Sequence, residues 1–300
     1  LTAYWAFCIL SLYLDIQYNN IIHITKSMTT CGKVYICGCV RNVESYLEDV
    51  FKNIKKMTCL FEEYHIIMSY DNSDDKSLET LQSIQRNCPA NKMTIIIGDE
   101  PLSRIRTQNI SNARNRILEH IRKIPVDERY EYFIMMDMDD VCAGKMDLKC
   151  LHDSFHNPNA QNWDTLSFNR SPYYDIWALS IYPYTFSCWH YNRSTQIQRK
   201  MRSLLEKRLH TCKQHRQLLQ CISAFNGFAI YRTDKFIESH YEWNVHKALD
   251  IYPNSMVQVM SETVHSEPIA RHDDCEHRFF HIRASQMNGA RIRISPDILF

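Results

Sequence analysis

The sequence predicts an α/β fold in which a mostly parallel sheet is flanked by helices. Short apolar runs rich in β-branched residues alternate with longer segments whose apolar residues recur every three or four positions. The first pattern is typical of buried strands, and the second is typical of helices that pack on a sheet. Their regular alternation favours parallel strands, because parallel neighbours need a crossover connection, which is usually a helix.

In the first half of the chain, strands and helices are predicted in strict alternation. The strands lie at residues 33–40 (KVYICGCV), 64–70 (YHIIMSY), 92–98 (KMTIIIG) and 130–136 (YEYFIMM). The helices lie between them, at residues 43–57, 76–85 and 105–123. The strands are short and largely apolar, which indicates burial on both faces, as in a parallel sheet between helical layers.

The second half of the chain is less regular. It contains predicted strands at 163–169 and 223–232, a charged helix at 195–210, and extended segments at 278–284 and 291–295. No repeat or low-complexity tract interrupts it. We therefore predict a single domain over residues 31–300, with a nucleotide half followed by an acceptor half.

Residues 1–30 are predicted to be an extension outside this domain. The apolar run at 1–14 is too short to span a membrane, which takes ~20 residues. It is either the end of a truncated, Golgi-type membrane anchor or upstream sequence that precedes a start at Met28. The second interpretation is preferred and predicts a cytoplasmic protein, while membrane association is left open.

The composition narrows the possible functions. The formal net charge is +1, whereas nucleic-acid binders usually carry a strong basic bias, so no nucleic-acid partner is expected. Twelve cysteines occur without a CxxC pair. This pattern favours buried free thiols in a reducing compartment over a zinc ribbon.

Polar clusters follow three of the predicted strands, at the point where each strand ends. They are Arg41-Asn42, the acidic turn at 71–75 and the acidic run at 137–140. In open α/β sheets, ligands bind outside the carboxyl ends of the strands. The coincidence of all three clusters with such ends predicts one polar ligand site at this edge of the sheet.

Asp137 and Asp139 are the predicted metal ligands of this site. Together with Asp140 they end a very apolar strand, and carboxylates so close repel one another unless a cation joins them. Mg²⁺ and Mn²⁺ take oxygen ligands and often link carboxylates to substrate phosphates. A cation here would offset the charge on a departing diphosphate. The alternative is a solvated turn after the strand.

The same residues fit a second enzyme class. Asp137-Met138-Asp139-Asp140-Val141 matches the DxDx(T/V) motif of haloacid-dehalogenase-type phosphatases, in which Asp137 would be the nucleophile and Asp139 the acid/base. That motif normally opens its domain, whereas three strand–helix units precede it here. The later acidic pair of that class is matched only loosely, by Asp273 and Asp274. The phosphatase is therefore the second hypothesis.

The ordered set of motifs resembles glycosyltransferases of the Rossmann-like GT-A fold, over about residues 33–295. The motifs are CVRNVESYL, YDNSDDKS, SNARNRIL, YFIMMDMDDV, SAFNGFAIYR and DCEHRFFH. Among enzymes of this fold, the motifs resemble those of fungal capsule-associated mannosyltransferases and of glycosyltransferases of large DNA viruses. SAFNGF departs from the pattern, because Asn226 stands where related enzymes often have a second glycine.

The resemblance implies a UDP- or GDP-sugar donor, a hexosyl transfer that depends on Mn²⁺ or Mg²⁺, and a glycan or other hydroxyl acceptor. It implies donor-side roles at six positions. Arg41 and Asn42 would lie beside the nucleotide, and Asp71 would bind the base or ribose unless it only forms a turn. Arg114 or Arg116 would reach the diphosphate or brace Asp137, unless both form surface ion pairs. Asp137 would contact ribose or metal, and Asp139 would bind metal.

On the acceptor side, the resemblance implies roles with open alternatives. Glu276 would be the base that deprotonates the acceptor hydroxyl in an inverting reaction, with Asp175 as a second candidate. His281 would be a third metal ligand. The alternative for the late segment is a half-exposed strand with satisfied histidines. Trp177 would stack on a sugar, although a core tryptophan is commoner. A retaining enzyme would need no base, and a non-catalytic glycan-binding module is a third hypothesis.

Overall fold

An eight-stranded sheet runs through the computed structural model, which describes residues 30–157, 159, 162–185, 195–252, 254 and 273–300. The strands are β1 (Lys33–Val40), β2 (Glu63–Tyr70), β3 (Met93–Ile97), β4 (Tyr132–Asp137), β5 (Thr165–Asn169), β6 (Leu219–Gln220), β7 (Phe228–Arg232) and β8 (Ile292–Ile298). Their order across the sheet is β3-β2-β1-β4-β7-β5-β8-β6.

Helices connect and cover the strands. They are α1 (Glu44–Thr58), α2 (Ser77–Asn87), α3 (Arg106–Arg122), α4 (Asp140–Ala143), α5 (Leu148–His156), α6 (Thr195–Gln214), α7 (Thr233–Phe236), α8 (Val245–Leu249) and α9 (Glu276–Asn288). The loop before β4 also contains a short 3₁₀ turn, Val126–Glu128.

The first four strands form the parallel half of the sheet. β1 lies between β2 and β4 and pairs in parallel with both, and β2 pairs in parallel with β3. Consecutive strands of this half are joined by α1, α2 and α3, as parallel pairing requires. The carboxyl ends of these strands therefore share one edge of the sheet. This arrangement confirms the predicted α/β class and its mostly parallel sheet.

An antiparallel strand marks the change to the second half. β7 pairs antiparallel with β4 on one side and with β5 on the other, and β8 continues parallel to β5. The start of β7 thus lies beside the end of β4. The second half of the chain reaches the carboxyl edge of the parallel strands through this pairing.

The core lies on both faces of the sheet. Alternate residues of β1 point to opposite sides, as strand geometry requires. Ile36 joins one buried cluster with Val50 of α1, and Cys37 joins the other with Ile117 of α3. Each face of the sheet is therefore covered by helices, which explains why its strands read as continuous apolar runs.

Two predicted segments differ from the structure. The segment at 278–284, predicted to be extended, belongs to α9. All seven residues of this helix from 276 to 282 are buried. The helix therefore lacks the one-sided apolar stripe that identifies helices in a sequence. The strand predicted from residue 223 begins only at Phe228, because Asn226 (φ 59°) and Gly227 (φ 85°) are left-handed and interrupt extended backbone.

The extension predicted at residues 1–30, including Met28, lies almost entirely outside the described residues. Among the parts of the chain that the structure describes, no helix is both long and apolar enough to cross a bilayer. The ten cysteines in those parts are free thiols.

A buried ion pair holds the beginning of α9 to the second half of the sheet. Arg278 and Asp274 are both fully buried, and Nε of Arg278 lies 2.9 Å from Oδ2 of Asp274. The Arg278 guanidinium also donates to Ser180 Oγ and to the carbonyl oxygens of Trp177 and Leu179. One side chain therefore links α9 to the segment at 177–180.

Replacing Arg278 by leucine should destabilise the fold strongly. The variant removes the guanidinium and leaves the buried Asp274 carboxylate without its Arg278 ion pair, a change that typically costs about 3–5 kcal/mol. Urea unfolding followed by circular dichroism would measure the loss of unfolding free energy.

Lys149→Met is the matched control, because Lys149 pairs with Asp153 in a fully solvated i,i+4 contact on α5. We expect that variant to unfold at the same urea concentration as the parent. Equal midpoints for Arg278→Leu and Lys149→Met would contradict a structural role for the buried pair.

Candidate active site

Three polar strand ends meet in one cleft at the carboxyl edge of the parallel strands. The cleft has a volume of about 280 Å³. Its polar lining residues are Arg41, Asn42, Asp71, Arg106, Asn109, Arg114, Asp137 and Asp139. Because β1, β2 and β4 are adjacent and parallel, residues far apart in sequence arrive at the same place.

Asp137 and Asp139 occupy the end of β4. The Asp137 N–H donates to the Gly227 carbonyl at 2.8 Å, which continues the pairing of β4 with the β7 segment. The buried Met138 lies between the two carboxylates. Asp139 is the N-cap of α4, and its Oδ1 accepts from the Val141 N–H at 3.2 Å. Strand pairing and helix capping thus fix both carboxylates at the cleft.

The electrostatics of Asp137 reflect crowding of negative charge. Burial raises the pKa of its carboxyl to about 7; Arg114 opposes this shift, while Asp139, Asp175 and Glu276 add to it. Burial also raises the pKa of Asp139. Carboxylates that are desolvated and close together favour protonation or binding of a cation. The donor set is oxygen, which suits Mg²⁺ or Mn²⁺.

Arg114 is the central cation of the site. It lies on α3 and is 5% exposed, with Nη2 3.2 Å from Asp137 Oδ1 and Nη1 donating to Glu276 Oε1. Its Cζ stands 4.7 Å from the ring centre of Phe225 and 5.6 Å from that of Tyr241. Burial alone would lower the pKa of Arg114, but Glu276 and Asp137 reverse the effect and raise it. The guanidinium therefore stays charged between two carboxylates.

The two histidines of α9 are buried and neutral. His277 stacks on Phe225 with ring centres 3.9 Å apart, and its Nε2 contacts Arg114. His281 Nδ1 lies 2.9 Å from Ser223 Oγ, and its Nε2 lies 3.1 Å from the Tyr231 hydroxyl. Burial lowers the pKa of His281 to about 3. Both of its ring nitrogens are engaged, so this arrangement gives no support to the predicted role of His281 as a metal ligand.

Arg116, two positions after Arg114, serves the neighbouring strand. It pairs with the buried Asp71 at the end of β2, and its Nε donates to Ser69 Oγ at 3.1 Å. Gly98 allows this contact, because a Cβ there would lie 2.4 Å from Asp71 Oδ1. Arg114 is therefore the arginine that pairs with Asp137. Arg116 pairs with Asp71, a contact that the sequence did not predict.

The loop after β1 is tied to the acidic turn after β2. Asn42 has a left-handed backbone (φ 52°), its Oδ1 accepts from the Asp74 N–H at 2.7 Å, and its N–H donates to Ser73 Oγ at 3.1 Å. Arg41 is exposed, and its Nε donates to the Asn72 carbonyl at 3.3 Å. Asn42 therefore shapes the loop, and the Arg41 guanidinium lies at the cleft surface.

Asp175 enters the site through Asn226. The Asn226 Oδ1 accepts from the backbone N–H groups of Tyr174 and Asp175, both at 3.0 Å, and its Nδ2 donates to the Phe168 carbonyl at 2.8 Å. Burial raises the pKa of the half-buried Asp175 carboxyl, and the charge of Glu276 raises it further. A glycine at 226 would lack these bonds, so the sequence departure has a positioning role.

Some residues of the site escaped the sequence analysis. Arg106 is the first residue of α3, is exposed and lines the cleft. The available signal was a basic residue near the start of a predicted helix that follows the carboxyl end of a strand. Phe225 and Tyr241, which flank Arg114, carried no recognisable signal. Trp177 packs against the core and does not line the described cleft.

Acidic and basic side chains thus meet at the carboxyl edge of a parallel half-sheet, which is the place where α/β proteins of this architecture bind their ligands. The family model of glycosyl transferase family 2 matches residues 35–239, more than half of the chain. The chain belongs to this family. No curated protein is a significant match to it.

Several solved structures are similar in fold. S. aureus TarS 1–349 in complex with UDP has a TM-score of 0.47 and 15% identity, over 89% of this chain and 59% of that chain. This chain thus spans about three fifths of that 1–349 chain, and 36% of the longer TarS chain in another structure. The Pyrobaculum calidifontis mannosyltransferase PcManGT, in complex with GDP-Man and Mn²⁺, has a TM-score of 0.41 and 11% identity, over 94% and 64%. M. tuberculosis glucosyl-3-phosphoglycerate synthase with Mn²⁺ and UDP-Glc has a TM-score of 0.41 and 10% identity, over 77% and 68%.

Gly227→Ala should damage both the fold and the site. A Cβ at this left-handed position would stand 2.3 Å from Val141 Cγ1 and 3.6 Å from Asp137 Oδ2. Left-handed backbone strain and the clash together should lower the unfolding free energy by about 2 kcal/mol or more. Differential scanning calorimetry would measure this loss.

Gly144→Ala is the control for that substitution, because an added Cβ there meets nothing within 4 Å and φ is −65°. We expect its thermal midpoint to stay the same or to rise slightly. A Gly227→Ala protein as stable as Gly144→Ala would show that the turn tolerates a side chain.

Proposed function

We propose that this glycosyltransferase moves a hexosyl group from a UDP- or GDP-sugar to the hydroxyl of a glycan or similar acceptor, with a divalent cation held by Asp137 and Asp139. The observation that carries the proposal is the cleft in which both carboxylates meet the buried Arg114 at the carboxyl edge of the parallel strands. Family membership supplies the reaction class.

The donor is proposed to lie along the ends of β1, β2 and β4. We assign Arg41 and Asp71, which line the cleft, to the nucleoside. Asp71 is braced by Arg116, so it would offer ribose or base a fixed hydrogen-bond acceptor. Arg106 is exposed at the first turn of α3, where its charge and the helix amino end both favour an anion. It is the residue we assign to the diphosphate.

Asp137 and Asp139 fit a cation of the Mg²⁺ or Mn²⁺ type. Such ions are often held by one or two carboxylates plus substrate phosphates. The raised pKa of Asp137, caused by burial and by neighbouring carboxylates, marks a place where added positive charge is favourable. When bound, the ion would supply neutralisation of the charge that develops on the leaving diphosphate. Arg114 and Arg106 would contribute to the same end from the protein.

Two carboxylates are candidates to receive the acceptor proton. Glu276 opens α9, is buried and pairs with Arg114, which couples its charge to Asp137. Asp175 is half-buried, and the bonds from Asn226 hold its backbone. We propose Glu276 as the base in an inverting reaction and Asp175 as a group that positions the acceptor. In a retaining reaction neither carboxylate would be required as a base.

The phosphatase hypothesis gains no support from the site. No lysine of the described residues lines the cleft. Asp274, of the loosely matching acidic pair, forms its ion pair with Arg278 away from Asp137. Binding of UDP, GDP and their sugars, with and without Mn²⁺, tests the proposed donor. Absence of nucleotide binding would leave only the glycan-binding alternative and would overturn the proposal.

Asp139→Asn should abolish most sugar transfer while leaving the fold intact. Asparagine caps a helix about as well as aspartate, so the bond to the Val141 N–H is kept and only the charge is lost. A bound metal supplies several kcal/mol of charge stabilisation, so we expect kcat to fall by ~10³-fold or more. Mn²⁺-dependent transfer would be measured with the accepted nucleotide-sugar.

Asp127→Asn is the control for the metal site, since Asp127 is an exposed acid in the 3₁₀ turn before the opposite end of β4. It should transfer sugar at the parental rate. Parental turnover by a folded Asp139→Asn protein would refute the metal assignment.

Glu276→Gln should lower kcat by ~10²-fold or more with little change in donor affinity, if Glu276 is the base. Because a base must be deprotonated to act, the parental rate should fall as the pH drops, and this acidic limb should become shallower in the variant, which keeps only the protonation of the metal-binding carboxylates. Asp175→Asn should mainly raise the acceptor KM and keep the limb.

The opposite result would reverse the two roles. If Asp175→Asn makes the acidic limb shallower while Glu276→Gln leaves it unchanged, Asp175 is the base. A retained anomeric configuration, observed by NMR of the product, would exclude both as required bases.

A further inference from the structure

A second cluster of potential metal ligands lies outside the donor cleft. Cys31, His152 and His156 each offer one ligand atom, and all three atoms lie within 4.8 Å of one another. Cys31 lies two residues before the first strand, whereas both histidines belong to α5, more than a hundred residues later. None of the three lines the donor cleft, and none is used by the proposed reaction.

The two histidines are spaced to bind one ion. Residues four apart on a helix lie on the same face, and the rings of His152 and His156 stack with centres 4.1 Å apart and planes 13° apart. Nδ1 of His156 also lies 3.0 Å from the His152 carbonyl oxygen. A nitrogen that donates to a carbonyl has no lone pair for a metal, so His156 Nδ1 would bind an ion only in place of this hydrogen bond.

The third potential ligand atom of the cluster is the sulfur of Cys31. Its Sγ lies 3.9 Å from Nδ1 of His156. Its position is fixed, because its N–H donates to the Leu60 carbonyl at 2.9 Å and its side chain is 5% exposed. Zinc bonds of about 2.3 Å to sulfur and 2.0–2.1 Å to nitrogen place tetrahedral ligand atoms roughly 3.5 Å apart. Small side-chain rotations would bring the observed separations into that range.

We propose that Cys31, His152 and His156 form a zinc site that ties the beginning of β1 to α5. One thiolate and two imidazoles are the ligands that zinc prefers, whereas Mg²⁺ and Mn²⁺ prefer oxygen. His152 is partly buried and His156 is exposed, so the fourth position faces solvent and can hold water. Burial raises the pKa of the Cys31 thiol to about 12, so zinc must displace a proton from sulfur.

Cobalt substitution tests the site in the full chain. Co²⁺ bound by one thiolate and two imidazoles should give tetrahedral ligand-field bands and a sulfur-to-cobalt charge-transfer band, at one equivalent per chain. Zn²⁺ should displace it, because it binds such ligands more tightly. Cys31→Ser should lose the charge-transfer band, and His156→Ala should weaken binding by more than about tenfold, the loss seen even for outer ligand-shell changes.

Matched controls separate this site from other cysteines and from the donor cleft. Cys59→Ser removes an exposed thiol, and His210→Ala removes an exposed helical histidine, so both should keep the spectrum. Asp139→Asn should keep it too. Zinc should raise the thermal midpoint of the parent but not of Cys31→Ser. A parental spectrum in Cys31→Ser, absence of the charge-transfer band in the parent, or loss of the band in Asp139→Asn would each overturn the proposal.

Discussion

The site depends on the ion pairs of one buried guanidinium group, that of Arg114. It comes from α3, meets Asp137 at the end of β4, and meets Glu276 at the start of α9. Removing a charge from water is costly unless paired groups compensate. Here two carboxylates, with the faces of Phe225 and Tyr241, surround the cation. Without it, the buried Glu276 and the partly buried Asp137 carboxylates would repel each other where the two halves of the chain meet.

A backbone constraint supports this charge arrangement. Asn226 and Gly227 are consecutive left-handed residues immediately before β7. The Gly227 carbonyl accepts from the Asp137 N–H, while the Asn226 side chain binds the backbone of the Asp175 segment. One tight turn thus binds the backbone of both Asp137 and Asp175. Its conformation is compatible with glycine and asparagine and unfavourable for most other residues.

Structure that is set locally could be predicted from the sequence. β1 was predicted with its observed bounds, and the first three helices within two residues at each end, because short apolar runs and helical spacing are local patterns. The helix α9 was predicted to be extended, because its burial on nearly all sides hides the helical period. The metal role of His281 stays a prediction, and the sequence did not reveal that Ser223 and Tyr231 lie within hydrogen-bond distance of its two ring nitrogens. The roles of Arg106 and Asn226 required three-dimensional proximity to be recognised.

The two halves of the site differ in how they are built, and this difference bears on specificity. The proposed donor side comes from consecutive strand–helix units, whose loops are bonded to one another through Asn42 and Asp74. The proposed acceptor side is assembled from separate segments that carry Asp175 and Glu276, and these segments are held by side chains such as Asn226 and Arg278. Substitutions on the acceptor side can therefore change local loops without breaking the parallel half-sheet. Arg114 is a constraint on both sides of the site. Any arrangement of the proposed acceptor side must still balance the positive charge that Arg114 places beside Asp137.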